Sequence, residues 1–528
     1  MSRKKNLKSP ENRTFTGLHT LLSLAISQAL LTSNIDAAQV TVTHAGDRGE
    51  LCVIHPDCTL REAVNSINQA GLIQGCTNTG DPIGTNDRIV FDSTISIIDL
   101  SYGRLEIDNH MIIDGGDSGI TIDGNKADRL FNIDSGSPEL ELNNLILTGG
   151  SSTDLGGAVA AAGGTVTLSN TTVTGNTANQ GGGVFVFGSN LVINDSVISN
   201  NLALQKGGGV YIFGGSMNMH GSDITENNSS SGGAGIYANS TNIELMNTLV
   251  SKNLSTGPGG GIYAKATSLT LAQGTVMKNQ SSDGGGFHLT SSSLYLKDAT
   301  ISENNATSGG GGYAINSRLR IRTSTLSGNL SLAGGGLFLI SSTSTLYNST
   351  VSSNLAQTRG GGFAAYAGSV VLFSTTVSNN SARLGDTSPN AEMGGGGFYQ
   401  SLAGVNFINS IVANSFGDDC VQNGQISADS SNIIEDGSCN TDALNVNPKL
   451  GVLTNNGGLA LTHALLAGSP AINAGINQHC KEQLIDNLDQ TGKSRDVGTA
   501  CDIGSVEFLP STLFVVPLPN GKTVIFEL

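Results

Sequence analysis

Ten times between residues 156 and 397 the chain writes a run of glycines followed at once by an apolar residue. The four-residue motif, three small residues (Gly, with one Ala in GGAV and one in GAGI) and then the apolar one, is written at Gly156, Gly181, Gly207, Gly233, Gly259, Gly284, Gly310, Gly334, Gly360 and Gly395. The residue just before the apolar one advances by 25, 26, 26, 26, 25, 26, 24, 26 and 35 positions. Self-similarity at a fixed period of this size is the mark of stacked repeats and outranks local signals. The chain is expected to be a solenoid.

A second motif, [VIL]-[STM]-x-Asn, keeps step with the glycines and places Asn176, Asn201, Asn227, Asn253, Asn279, Asn304, Asn329, Asn354 and Asn380 one period apart. A leucine-rich repeat has a similar period, but its consensus is absent, as is any long 3.6-residue apolar pattern. Each unit instead carries short alternating runs, such as Gly183–Phe187 and Leu191–Asn194, broken by Gly, Asn and Ser. About three strands per unit fit one coil of a right-handed parallel β-helix, all-β, with about 25 residues per coil.

In that frame the residue after the glycines points inward: Val159, Val184, Val210, Ile236, Ile262, Phe287, Tyr313, Leu337, Phe363 and Phe398. Two positions on, Val186, Ile212, Ala238, Ala264, Leu289, Ile315, Leu339 and Ala365 do so again. The glycines supply a corner with positive φ and close backbone approach. The asparagines are read as a structural ladder, amide bonded to amide from coil to coil.

Composition fits a thin continuous core: 71 Gly, no Trp and 13% charged residues in 528. Arg3, Lys4, Lys5, Lys8 and Arg13 precede an apolar stretch from Leu18 to Leu31, and Ala37-Ala38 follows. This reads as a secretory signal over residues 1–38, short and interrupted for a membrane span. The mature chain then holds 21 Lys+Arg against 40 Asp+Glu, so nucleic acid is not an expected partner. Residues 151–415 hold ten acidic and ten basic side chains, which leaves the negative excess in the flanks.

All seven cysteines lie in the flanks too, as disulfide staples of an exported protein would. Cys420–Cys439 and Cys480–Cys501 are the expected pairs. Cys58 is left to pair with Cys52 or Cys76. No spacing suggests zinc, and no cofactor is expected. At the front, Thr59-Leu-Arg-Glu62 is a capping box opening an amphipathic helix with Leu60, Ala63, Val64 and Ile67 on one side and Gly71 after it. Such a helix can cover the first coil, which an open-ended solenoid requires. The expected layout is a signal (1–38), an N-terminal cap (39–86), early irregular coils (87–150), regular coils (151–415), a C-terminal domain (416–510) and a tail (511–528) forming two strands about Asn520-Gly521.

Cys58-Thr-Leu-Arg-Glu-Ala63, followed by Asn68, resembles the CSLREA domain of bacterial surface β-helix proteins. Asn447–Gly458, Leu461–Ile472, Asp489-Gln-Thr-Gly492 and Cys501-Asp-Ile-Gly504 look like the choice-of-anchor Q domain. The coils are similar to the GGA[ILV] and FxxN repeats of polymorphic outer-membrane proteins. Those proteins end in a translocating barrel, whereas 18 residues follow Pro510, so autotransport is not expected. The resemblance implies export and display on, or release from, a Gram-negative-type cell, with no transmembrane span in the mature chain. It implies no chemistry.

For function, three classes compete. Parallel β-helices host polysaccharide lyases and glycoside hydrolases, but fold alone does not carry activity, and hydrolysis wants two carboxylates about 5–9.5 Å apart. Asp195 and Asp298 share a phase four coils apart; Glu226 and Glu303 lie three coils apart with Lys252 and Lys278 between them. Asp418-Asp419 is read as a stapled loop, and His463 as structural. The Asp108–Asp134 cluster is read as Asp-Gly turn chemistry, with calcium as the alternative. The second class is binding. Phe185, Tyr211, Tyr237, Tyr263, His288, Phe338 and Tyr399 stand one position outward from the core column. The first four are either a stacked structural file or a platform for sugar rings. Arg318, Arg320 and Arg322 alternate and share a face, a basic spot for sulfate or uronate groups or a solvated patch. The third class is a passive structural protein. The leading expectation is a monomeric, exported adhesin or glycan binder without catalysis, its partner a polysaccharide or cell-surface glycan.

Overall fold

The computed structural model describes residues 37–49, 55–73, 75–84, 87–134, 136–382, 394–482 and 485–509, together with the backbone of two tail strands. Residues 1–36 of the expected signal, Cys52 and the tip of the expected tail hairpin lie outside the described residues. The chain winds as a right-handed parallel β-solenoid of about 13 turns. Each regular coil uses four strands rather than three. In one coil they are Val184–Phe187, Asn190–Asn194, Val197–Ser199 and Leu202–Lys206. Each pairs in parallel with its counterpart one coil on.

The first two strands of successive coils belong to a 27-stranded sheet, the third to a 14-stranded sheet and the fourth to a 9-stranded sheet. Leu337–Tyr347 and Phe363–Phe373 run through the corner between the first two strands as single 11-residue strands. The main core is one column of apolar side chains running from Val40 to Ala443. Parallel stacking explains why most inward residues are Val, Ile, Leu or Ala, with Phe287, Phe363, Phe398, Met217 and Met219 among them: each meets its own counterpart in the coils above and below.

Four residues per coil turn the chain with a left-handed backbone. In the coil above these are Gly181, Gly188, Asp195 and Asn200, with φ of 65°, 62°, 47° and 54°. Only the first corner demands glycine. A Cβ at Gly181 would sit 2.6 Å from the carbonyl of Val184, and one at Gly182 would sit 2.5 Å from the carbonyl of Gly208. The glycine run is therefore fixed by backbone meeting backbone between coils as well as by conformation.

Beside that corner the asparagines form the expected ladder. Asn201 Oδ1 accepts both the backbone N–H and the Nδ2 of Asn176 at 3.0 Å, and Asn201 Nδ2 donates to the carbonyl of Val173 at 2.9 Å. The pattern repeats to Asn380, with every member buried.

The front is closed by the helix Leu60–Asn68, whose capping box is complete and whose Leu60, Ala63, Val64 and Ile67 are buried against the first strands. The disulfide there joins Cys58 to Cys76. At the far end Cys420–Cys439 staples the last coil. Residues 450–508, held by Cys480–Cys501, fold back along the flank of the 14-stranded sheet. The tail strands Leu513–Pro517 and Thr523–Glu527 pair antiparallel.

One phase assignment needs correction. Tyr313 does not enter the core: Gly312 takes the inward place between Phe287 and Leu337, and Tyr313 pairs with His288 and Phe338 on the outer side. Phe287 is the reason, since a Cβ at Gly312 would fall 2.1 Å from its ring. The correction carries on along the strand, so that Ala314, not Ile315, is inward. The single step of 24 in the glycine spacing is the trace of this shift.

Candidate functional site

Phe185, Tyr211, Tyr237 and Tyr263 stand in one file, as their spacing requires, and the file gains Tyr313, which the spacing alone places inward. It continues through His288, Tyr313 and Phe338, with centroids 4.7–5.3 Å apart and planes within 17° from Phe185 to Phe338. At the next coil Ala364 holds the position, and Tyr366, two residues on, leans in to bridge Phe338 and Tyr399. Spacing could not find Tyr366, because it occupies a different column.

This geometry decides what the file can offer. The rings give their faces to one another. Phe185 is 7% and Tyr237 5% exposed, so a ligand meets ring edges and hydroxyls, not a flat platform. Charged groups line the same concave corner: Lys206 Nζ lies 4.8 Å from the Tyr237 ring centroid and the Arg359 guanidinium 5.0 Å from that of Tyr399. Burial pushes the Tyr237 hydroxyl up to about 12 and the His288 imidazole down to about 4, the latter against the opposing pull of Asp283. His288 Nδ1 has no hydrogen-bond partner.

The carboxylate candidates resolve into turns and ion pairs. Asp195 and Asp298 both occupy a left-handed corner (φ 47° and 53°). Glu226 pairs with Lys252 at 2.9 Å and Glu303 with Lys278 at 3.4 Å, a balanced stripe on the surface. In the early coils Asp114 binds Arg88 and receives the N–H of Gly116, and Asp123 receives the N–H of Asn125. Among the described residues no group of three or more His, Cys, Asp or Glu is placed to hold a metal ion.

Asp419 is 2% exposed, and burial together with neighbouring Asp436 raises its carboxyl to about 6. Each of that pair receives the other's backbone N–H, at 2.7 and 3.3 Å, beside the Cys420–Cys439 disulfide. The arrangement closes a loop, with Asp419 buried and Asp436 exposed.

The folded-back segment uses the outer face of the 14-stranded sheet. Thr325 donates to the carbonyl of Leu461, Thr350 to Gln490 Oε1, and Ser505 to Thr376, at 2.6, 2.6 and 3.1 Å. His463 bridges Ser352 (2.8 Å) and the carbonyl of Gly451 (2.7 Å). Arg495, fully buried, donates to Glu507, Asn348 and the carbonyl of Gly504, each at 2.9 Å. These residues hold the segment to the coils.

Two features remain open to solvent on the outer face of the second-strand stack. One is a furrow of about 520 Å3 at the corner where the first strands lead into the second, lined by small residues of four successive coils, among them Gly215, Ser240, Asn242, Ala266, Ser268 and Ser293. The other is the basic spot. Arg318 and Arg320 are exposed, while Arg322 is half-buried and pairs with Asp486 at 2.5 Å.

Comparison with known proteins agrees with the architecture. Residues 151–293 match the family described as the right-handed β-helix region. No curated protein matches the chain. Among the described residues no helix is long and apolar enough to cross a membrane.

Proposed function

We propose that this chain is an exported rod, displayed on or released from the bacterial cell surface, that holds glycan chains along its flank without cleaving them. The observation that carries this reading is the furrow. It runs with the rod axis, its walls are Ser, Thr and Asn side chains that both donate and accept hydrogen bonds, and its floor is kept low by Gly215 and Ala266. A linear polyhydroxylated polymer fits such a trough, with one set of polar contacts repeated per coil. The file of Phe185, Tyr211, Tyr237 and Tyr263 stands on the strands that lead into the furrow, outside its lining, and its three tyrosines offer hydroxyls to a chain that extends beyond it. Three disulfides at the two ends of the rod support an oxidising compartment, as does the leader-like N-terminus.

The test is a glycan array with residues 39–528, run beside a reducing-end assay on every polymer bound. Binding without new reducing ends is expected. Ala266→Trp, which fills the trough at an exposed corner, should abolish binding and leave the melting temperature unchanged. Release of reducing ends would favour a polysaccharide-degrading enzyme instead, and no bound glycan on the array would refute the reading. Tyr211→Phe with Tyr263→Phe removes two hydroxyls while keeping the stack; unchanged affinity would take the aromatic file out of the site.

A further inference from the structure

The outer face of the second-strand stack carries charge of opposite sign at two coils far apart along the rod, in the same columns. Glu139, Thr165, Asn190, Ser216, Asn242, Ser268, Ser293 and Arg318 succeed one another coil by coil in one register column. Glu141 and Arg320 occupy the same two coils of the neighbouring column, which runs on to Ile112 on one side and Thr345 on the other. Seven coil steps at about 4.8 Å put the acidic and basic ends roughly 34 Å apart. Four of the ten basic side chains in residues 151–415 (Lys297, Arg318, Arg320 and Arg322) crowd onto two adjacent strands at the basic end. Among the described residues Arg318 and Arg320 have no ion-pair partner. Glu139 is 66% exposed, with His110 Nδ1 3.8 Å away. Between these two coils the outward residues are mostly small and polar, with Val192 and Tyr295 the exceptions and Glu244 the one further charge in these two columns.

We propose that this face is the interface of an antiparallel homodimer. A two-fold axis lying in the interface along the strand direction reverses the rod but keeps each column opposite itself. Placed midway, between the coils of Ser216 and Asn242, it sets Glu139 of one copy against Arg318 of the other, and Glu141 against Arg320. Both pairs recur at the far end, so the contact is isologous and closes. Side-by-side parallel rods would set arginine on arginine. In the antiparallel pair Glu244 meets Asn218, and Lys297 meets Ser169, so no like charges oppose.

The size fits as well. Eight strands about 4.8 Å apart and about 17 Å long give roughly 650 Å2 per copy, or about 1,300 Å2 in all, within the range of specific interfaces. Asp486 neutralises Arg322 within the chain, which leaves Arg318 and Arg320 for the carboxylates of a partner.

The interface takes in Asn242, Ser268 and Ser293 of the furrow, so the closed dimer and a bound glycan exclude one another, and the salt and charge-reversal tests are run without glycan. Residues 39–528 should sediment as a dimer at 50 mM salt and dissociate at 500 mM with at least a ten-fold rise in Kd, since exposed pairs are screened. Arg318→Glu with Arg320→Glu should be monomeric, and so should Glu139→Arg with Glu141→Arg, each with unchanged circular dichroism. Mixing the two variants should give a heterodimer, because every opposed pair is then complementary. A chain monomeric at 50 mM salt overturns the proposal, whether or not its arginines then bind a sulfated polysaccharide. So does a dimer indifferent to both reversals, or a mixture that stays monomeric.

Discussion

Asn253→Ala tests the mechanism that holds coil to coil. Asn253 Oδ1 accepts the backbone N–H of Asn227 at 3.0 Å and its Nδ2 at 3.1 Å; Asn253 Nδ2 donates to the carbonyl of Ile224 at 3.0 Å and to Asn279 Oδ1 at 2.9 Å. After truncation the Nδ2 of Asn227 keeps the carbonyls of Ile198 and Thr225, and the N–H of residue 253 keeps Asn279. Two buried main-chain groups, the N–H of Asn227 and the C=O of Ile224, lose these partners. At about 1–3 kcal/mol each, with roughly 1 kcal/mol for the void, the loss is about 3–6 kcal/mol. Asn253→Asp keeps the acceptor but turns a second oxygen toward Ile224 O and Asn279 Oδ1. Its carboxyl pKa should be raised in the fold, so its stability falls as pH rises through that pKa and recovers on acidification. Asn242→Ala, on the exposed face, is the control and should stay within about 0.5 kcal/mol. Urea titration followed by circular dichroism gives the total, and hydrogen exchange at Ile224, Val250 and Val276 localises it, since solenoids open coil by coil. An Asn253→Ala loss below about 1 kcal/mol, matching the control, would refute the ladder as a source of cohesion.

Tyr237→Ser should cost about 3 kcal/mol, because the ring is stacked on both sides and nearly buried; a melting temperature close to wild type would mean that the file contributes little. The His288 imidazole is held neutral down to about 4, so the unfolded chain binds the extra proton between roughly pH 6.5 and 4. Stability is thus full above that window and declines by about 3 kcal/mol on acidification through it; His288→Phe should flatten this limb of the pH profile, and an unchanged profile would assign it elsewhere. Asp419 has the opposite sign: its carboxyl is raised to about 6, so the stapled end loses protection as pH climbs from about 4 to 6, readable by hydrogen exchange over residues 415–439. Arg495→Met leaves Glu507 buried without its cation and should loosen the folded-back segment by about 3–5 kcal/mol, with limited proteolysis cutting there while the coils before Ser293 stay intact. Equal protection of wild type and variant would remove Arg495 from that role.

What repeats along the chain was legible in it. The glycine corner, the asparagine ladder, the inward columns and the file from Phe185 to Tyr263 all follow from one period, because stacking converts sequence spacing directly into a spatial column. The capping box at Thr59 was readable for a similar reason: its partners lie three residues apart. The balanced stripe of Glu226, Lys252, Lys278 and Glu303 followed from phase alone.

What breaks the period was not. The extra glycine at 312 moves Tyr313 outward to make room for a ring one coil away, and Tyr366 enters the file from another column, so both depend on packing volume rather than spacing. Cys58 had two candidate partners in the chain; the fold around the N-terminal helix brings it to Cys76. Most of all, nothing in Thr325, Thr350 or Thr376 marks them as covered, since Thr275 and Thr300 occupy the same column and stay half-exposed. Their burial is decided by Gln490 and Ser505, more than 120 residues away along the chain. A solenoid's sequence specifies each coil against its neighbours. Which flank a non-repeating segment returns to is settled only when the whole stack exists to receive it.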